Sequence, residues 1–510
     1  MEGGKDGKED DGYGLGSEVF GGIFTLMDTI IGITFLSMSY VFMTTGIGVG
    51  VLLFVFLSLM FGFSVIIMIP VYMGTVKTDR SMAEKKNLTC IKQKISAPMR
   101  ASNNMFHLIL KYMGRETQQV LAIIVFISTF STMTAFVVGA VGIWQSLLQT
   151  WAPDMNARRE YVVLVVSGIM FPLMFIRQLK SGIIFSAISI VIMIYMTVCV
   201  IVRSTQNMDQ WASNSSFGPI SPGSKAGLEI LTSLPVITFA LTCQMNIFTI
   251  FSELNPKPSK YLDEVGKMKI ISFLGLLFSA FIYMLIGIFG YLQFGNATTD
   301  NILTLYAEDD ILMQTVQVLV SVKLLFTVPL MSNPMISAVE HLVLKPDFDG
   351  IIETWTTRSI VIIITWILSV GLSLATDNLV LIFGVAGSLS DTTISFIFPG
   401  WIFLCFMNRN SEDPEFDSLF KSTTSRNNTR NFSIFLISFG YFMIWLCSLS
   451  SIWFSDTFQQ FISPLETSSL LGATLFSIIG MALFVAVLTI LVWTMSVSLD
   501  RSTDPITHHF

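Results

Sequence analysis

The chain has 510 residues, of which 52% are hydrophobic and only 13% charged, about half the charged share of an ordinary soluble domain. A mean hydropathy of +0.69 excludes a water-soluble fold of this length and leaves a membrane-embedded one. The net charge of −6 comes without any basic stripe interleaved with aromatics, which excludes nucleic acid as a partner, and five scattered cysteines exclude a disulfide framework.

Apolar runs of about twenty residues recur, the length at which a helix crosses a hydrocarbon core of about 30 Å. Helices are expected because they satisfy their own backbone in lipid. In chain order the predicted spans are Gly21 to Met43, Gly46 to Tyr72, Val120 to Leu148, Tyr161 to Ile176, Gly182 to Val202, Gly227 to Phe251, Ile270 to Phe294, Ile311 to Ile336, Ser359 to Ala375, Leu379 to Phe406, Phe432 to Phe454 and Leu470 to Val497. Residues 1–17 then form a tail, 18–406 a core of ten spans, 407–431 a loop, 432–497 two further spans and 498–510 a closing tail. Met1 to Ser17 has no basic start followed by an apolar run and a small-residue cleavage site, so no cleaved signal peptide is expected.

With the N-terminus in the cytoplasm, 24 of the 29 Lys and Arg residues fall on the cytoplasmic side, as the retention of basic loops there requires. The longest loop, Gly74 to Gln119, carries nine of them. It reads either as a contact for anionic membrane lipid or as a solvated loop. There is no Walker sequence, no clustered His/Cys metal ligands and no nucleophile, base and oxyanion constellation. An enzyme, a resident cofactor and a metal site are therefore not expected, and any pumping would run on an ion gradient.

Two spans carry helix breakers at corresponding places: Asp28-Thr29-Ile30-Ile31-Gly32-Ile33-Thr34 in the first, and Leu234-Pro235 followed by Phe239 to Gln244 in the sixth. Five spans separate them, so the two halves would run in opposite orientations. Three ionisable residues fall inside spans: Asp28, Lys323 and Asp391. A charge there costs several kcal/mol unless paired, hydrated or neutralised, so each is expected to face the protein interior.

The strings in these spans resemble the amino acid/auxin permease family, which includes sodium-coupled neutral and proton-coupled amino acid transporters. Asp28 to Tyr40 looks like its N-x-x-x-G-x-G-x-L-x-x-x-Y pattern, and Leu234-Pro235, Phe239 to Gln244 and Glu253-Leu254 look like its LP…FAFxCH…EL segment. Thr327-Val328-Pro329 with Pro334 resembles T-V-P-x-x-x-x-P, and Gly387-Ser388 through Ser395-Phe396 to Pro399 resembles its Gly-Ser/Thr stretch leading to S-F-x-x-P. Departures are Asp28 for the family's Asn, Thr34 for its second Gly and Gln244 for its His; the family also has eleven spans where twelve are counted here.

The resemblance implies an all-α polytopic membrane protein with an inverted-repeat leucine-transporter-type fold, five helices plus five, and one or two C-terminal helices. It implies secondary active transport of amino acids, neutral ones foremost, by alternating access. The substrate carboxylate would meet the amides of Ile33 and Thr34 beyond Gly32, and the amine would meet carbonyls of Phe239, Ala240, Leu241 and Thr242, with Gln244 beside them. Ion coupling would rest on Asp28, Lys323, Thr327 and Asp391. A fixed ammonium at Lys323 would repel sodium from the position it takes in sodium-coupled relatives, so H+ is favoured as coupling ion over Na+. The partners are then an amino acid and membrane lipid, in the plasma membrane or an acidic, vacuolar organelle membrane. The alternative is a non-transporting amino acid sensor on the same fold.

Overall fold

A chain surrounded by hydrocarbon has no water to satisfy stray backbone groups, so helices are the natural solution and every interruption needs a local partner. The computed structural model describes residues 14–85, 105–152, 158–176, 182–207, 211, 224–253, 264–307, 309–343, 355–409, 427–444 and 446. The predicted twelfth span, residues 86–104 of the basic loop, and residue 445 and residues 447–454 of the eleventh span lie outside the described residues.

The first span is split into α1 (Gly14–Ile30), a 3-10 turn (Thr34–Ser37) and α2 (Met38–Thr45), the two halves bent by 57°. Next come α3 (Ile47–Lys85), α4 (Met105–Met113), α5 (Arg115–Trp151), α6 (Arg159–Met170) and α7 (Gly182–Gln206). The sixth span is α8 (Ser224–Leu241) and α9 (Gln244–Glu253). It is followed by α10 (Glu264–Phe294), α11 (Ile311–Val343), α12 (Trp355–Ala375), α13 (Leu379–Val385), α14 (Phe398–Arg409) and a helix over 427–444. Among the described residues, eight helices are long and apolar enough to cross a membrane, and the bent first pair makes a ninth. The fourth span differs from the continuous helix expected: α6 tightens into a 3-10 turn at Phe171–Phe175, where Pro172 has no N–H to offer an α-helical bond. Gly46 and Gly114, with φ of 75° and 91°, make the sharp turns into α3 and α5 that side-chain-bearing residues rarely adopt.

Outward faces are apolar: Val191, Ile194 and Val198 on α7 and Ile360, Ile363, Ile364 and Ile367 on α12 are exposed, as a lipid-facing stripe should be. Association of helices in lipid relies on close packing. The seventh span provides it through Gly275, Gly287 and Gly290, where an added Cβ would collide with Leu26, Phe42 and Ser39 of the first span. α11 lies along α5, and α8 packs on the tenth span.

The tenth span was expected as one α-helix. It instead widens into two π-helical segments, Ala386–Asp391 and Thr393–Ile397. Hydroxyls compete for backbone carbonyls here: Ser390, Thr392 and Thr393 donate to Ala386, Gly387 and Leu389 at 2.7, 2.7 and 2.6 Å. Gly387 lies so close to α8 that a Cβ would strike the Pro235 carbonyl. Gly387→Ala should therefore destabilise the protein by about 1–3 kcal/mol, the usual cost of overpacking, seen as a lower Tm in detergent; an unchanged Tm would contradict this contact.

Candidate functional site

The break in the first span removes the helical partners of the last carbonyls of α1. Ile30 at its end, and Ile31 and Gly32 just beyond it, find substitutes. Ile30 O accepts the Gly32 N–H at 2.8 Å and the Tyr283 hydroxyl of α10 at 2.7 Å. Ile31 O and Gly32 O both accept from the ammonium of Lys323 on α11, the second at 3.3 Å. Lys323, 2% exposed, thus places a cation at the negative end of the α1 dipole, with the Phe35 ring centroid 5.3 Å away. Thr34 Oγ1 lies 2.6 Å from the Tyr283 hydroxyl and completes the clasp.

Asp28 sits one turn earlier and is buried. Its Oδ2 accepts from Ser186 of α7 at 2.9 Å, while Oδ1 has no hydrogen-bond partner among the described residues. Among the described residues no direct ion pair joins it to Lys323. Thr327 is buried with its hydroxyl bonded back to the Lys323 carbonyl at 2.9 Å, so it closes its own helix. Asp391 stands apart from this group and pairs with Ser128 of α5.

On the other side of the break the chain offers donors. The first bond of the 3-10 turn runs from Leu36 N–H to Ile33 O at 3.2 Å, leaving the amides of Ile33, Thr34 and Phe35 ahead of it. A Cβ at Gly32 would meet nothing nearer than Ile30 O at 4.0 Å, so open space adjoins these amides. In the sixth span the break falls at Thr242–Cys243, at the end of the expected stretch Phe239 to Thr242; Phe239, Ala240 and Leu241 close the last turn of α8. The reason lies in Gln244, whose Oε1 accepts the Cys243 N–H at 3.0 Å and the Ser395 hydroxyl at 3.0 Å. Phe239 stacks on Phe383 of α13 with centroids 4.9 Å apart.

A cavity of about 600 Å³ opens on the face opposite the start of α1, lined by Tyr40, Val138, Gln145, Asp300, Asn301 and Asn378 among others. Its floor at Val138 adjoins Gly139, where a Cβ would press on Ile33 and Leu36 of the break. Burial, reinforced by nearby Asp377, raises the pKa of Asp300 above the usual carboxylate value, against the bond it accepts from Leu379 N–H at 2.6 Å. Among the described residues, packed side chains close the α1 face. There α4 stacks Phe106 on His341 of α11 at 4.3 Å and sets Tyr112 edge-on to Phe406 of α14 at 5.6 Å. Arg409 ties this lid down by donating to Lys111 O at 2.5 Å.

Two interrupted helices of opposite direction, a cavity leading to one break and a closed opposite face define a helical membrane protein of the inverted-repeat leucine-transporter type. Residues 16–445 match the family described as transmembrane amino acid transporter protein, and the chain belongs to that family. It is similar to "Vacuolar amino acid transporter 5" of Schizosaccharomyces pombe, 24% identical over 255 residues, which are 50% of this chain and 58% of that protein. It is also similar to "Vacuolar amino acid transporter 5" of Saccharomyces cerevisiae, 30% identical over 188 residues, 37% of this chain and 39% of that one. The matches thus span less than two thirds of either relative. Among solved structures, a mutant form of the Eremococcus coleocola manganese transporter superposes with a TM-score of 0.55 at 12% identity, covering 98% of both chains. At that identity the likeness is one of fold alone.

Sequence reasoning passed over Tyr283 and Ser186 and quoted Ser395 only as part of a motif, without a site role, although each is a polar residue inside an apolar run. The two faces differ in a way that labelling can read. In the full chain, Gln145→Cys should react with a polar thiol reagent applied from the cavity side, and Phe106→Cys should be protected on the other, with modification assigned peptide by peptide. The reverse pattern would mean that the open and closed faces are exchanged.

Proposed function

We propose that the protein carries zwitterionic, neutral amino acids across a membrane by alternating access, without sodium and with proton exchange at Lys323 as the coupling step. The observation that carries this reading is the Lys323 ammonium on the Ile31 and Gly32 carbonyls. Such carbonyls at the negative end of a half-helix suit a hard cation; a covalently held one removes the need for sodium. Asp28, coupled to Lys323 through space, offsets its charge, and protonation and deprotonation of the pair would change what holds the two halves of the first span.

Substrate binding is assigned to the opposite side of the break. The amides of Ile33 and Thr34 at the positive end of the following segment suit a carboxylate, and carbonyls ending α8 at Phe239, Ala240 and Leu241, with Thr242 next to them, suit the amine. Nothing in that pattern reads a side chain, so several amino acids are accepted. The excess of basic loops on the α1 side favours a cytoplasmic closed face, with the cavity toward the exterior or an organelle lumen. The names of the two yeast relatives favour the lumen of an acidic, vacuole-like organelle.

Uptake of labelled amino acids into proteoliposomes should persist when choline replaces sodium, and should respond to an imposed pH gradient. Lys323→Ala should lose that response; strict sodium dependence of the unmodified protein would overturn the proposal. Binding without flux would favour a sensor instead. In the same assay Gly32→Leu should abolish uptake by filling the space beside the amides, whereas Gly32→Ala should fold and retain most of it. Normal uptake by Gly32→Leu would remove the first break from the substrate path.

A further inference from the structure

Asp391 is a second intramembrane carboxylate that the proposed coupling step leaves unused. It is 1% exposed and sits at the end of the first π-helical segment of the tenth span. Its Oδ1 accepts a hydrogen bond from Ser128 Oγ of α5 at 2.5 Å. Its Oδ2 is buried and has no hydrogen-bond partner among the described residues. An ionised carboxylate has about four acceptor sites, and one donor is a poor substitute for water around a buried charge.

The neighbouring hydroxyls do not make up the difference. Ser390, Thr392 and Thr393 each direct their proton to a backbone carbonyl, and Thr132, one turn from Ser128, donates to the Ser128 carbonyl at 2.8 Å. Nor, among the described residues, is there a cation at this depth on the elements that pack most closely against the segment. The segment packs against α5, α8, α13 and the second π-helical segment. Their charged residues are Arg115 and Glu116 at the start of α5 and Lys225 and Glu229 at the start of α8; α13 and the π segment have none. Arg115 is thirteen residues from Ser128, about 20 Å along a helix at 1.5 Å per residue. Glu229 is six residues before Pro235, the point of closest approach, or about 9 Å.

We propose that Asp391, positioned by Ser128, is a second proton-binding site at the contact of the third and tenth spans, separate from the Asp28 and Lys323 group, and that it communicates with the sixth-span break. The route is short. One helical turn beyond Asp391, Ser395 donates to Gln244 Oε1, the same oxygen that holds the Cys243 N–H at the break, and its hydroxyl lies 3.3 Å from that of Thr242. The Ser395 carbonyl in turn accepts from Ser64 of α3. Wide turns of this kind inside membrane helices have two ways of closing their backbone bonds and are common at functional sites. Loss of the proton would place a bare charge beside Ser128 and drive a change in the turn that carries Ser395.

The inference does not depend on amino acid transport, and infrared difference spectroscopy on the reconstituted full chain tests it directly. Between about pH 5 and 8, the range in which biological proton switches operate, a carboxylic C=O band should disappear as pH rises. That band should be missing in Asp391→Asn, be shifted in Ser128→Ala and persist in Lys323→Ala. In transport assays Asp391→Asn should keep amino acid binding within about twofold but carry one proton fewer per turnover. A band unaffected by Asp391→Asn, or one titrated by sodium at fixed pH, would overturn the proposal. If Asp391→Asn fails to fold, the Ser128→Ala shift decides: an unmoved band and an unmoved pH profile of uptake reject the site.

Discussion

A helix that stops inside a membrane protein leaves carbonyls with no water to turn to, and much of this structure follows from how Ile30, Ile31 and Gly32 find other donors. The partners come from two different helices, Tyr283 on α10 and Lys323 on α11. The break is thereby the point at which the first, seventh and eighth spans are fastened together. Leaving one such carbonyl unpaired costs roughly 1–3 kcal/mol, and leaving the ammonium without acceptors costs more. Each element stabilises the irregularity of the other. Asp28, one turn away and held by Ser186, forms no direct ion pair with Lys323 among the described residues.

The two sides of the break have opposite character. The end of α1 presents carbonyl oxygens and the start of the 3-10 turn presents amides, so a single interruption offers a cation site and an anion site a few residues apart. Lys323 fills the first. The second faces open space at Gly32; Val138, which lines the cavity, is followed by Gly139, which packs against Ile33 and Leu36 of the break. The sixth span uses another device, a side-chain amide: Gln244 caps Cys243 from within its own helix and is itself held by Ser395. Its Nε2 is buried without a partner among the described residues.

The core spans and the first break were legible in the sequence because their causes are local. Twenty apolar residues suffice to mark a span, and Gly32 next to buried polar residues marks an interruption. What escaped prediction depends on distant groups. The sixth-span break falls at Thr242–Cys243 because Ser395, about 150 residues away, orients Gln244. The π-helical turns of the tenth span depend on hydroxyls choosing carbonyls over other partners and on Gly387 pressing against Pro235, and neither choice shows as periodicity. Lys323 and Asp28 were recognisable as costly intramembrane charges, whereas Tyr283 gave the weaker signal of one hydroxyl in an apolar run. Thr327, expected beside the ion site, directs its hydroxyl to its own helix, which the motif alone does not reveal.

A scaffold of this kind hosts many cargoes, so its outline does not choose one. The choice comes from where fixed charge already sits. With the ammonium of Lys323 occupying the carbonyl end of the first break, that end has no vacancy for a free cation, and the amide end beside Gly32 is left to attract an anionic group. In the proposed reading, a ligand that presents a carboxylate there would find acceptors for its other end in the carbonyls closing α8. Those two requirements together describe a small zwitterion better than a metal ion or a simple anion, and they do so without reference to its side chain.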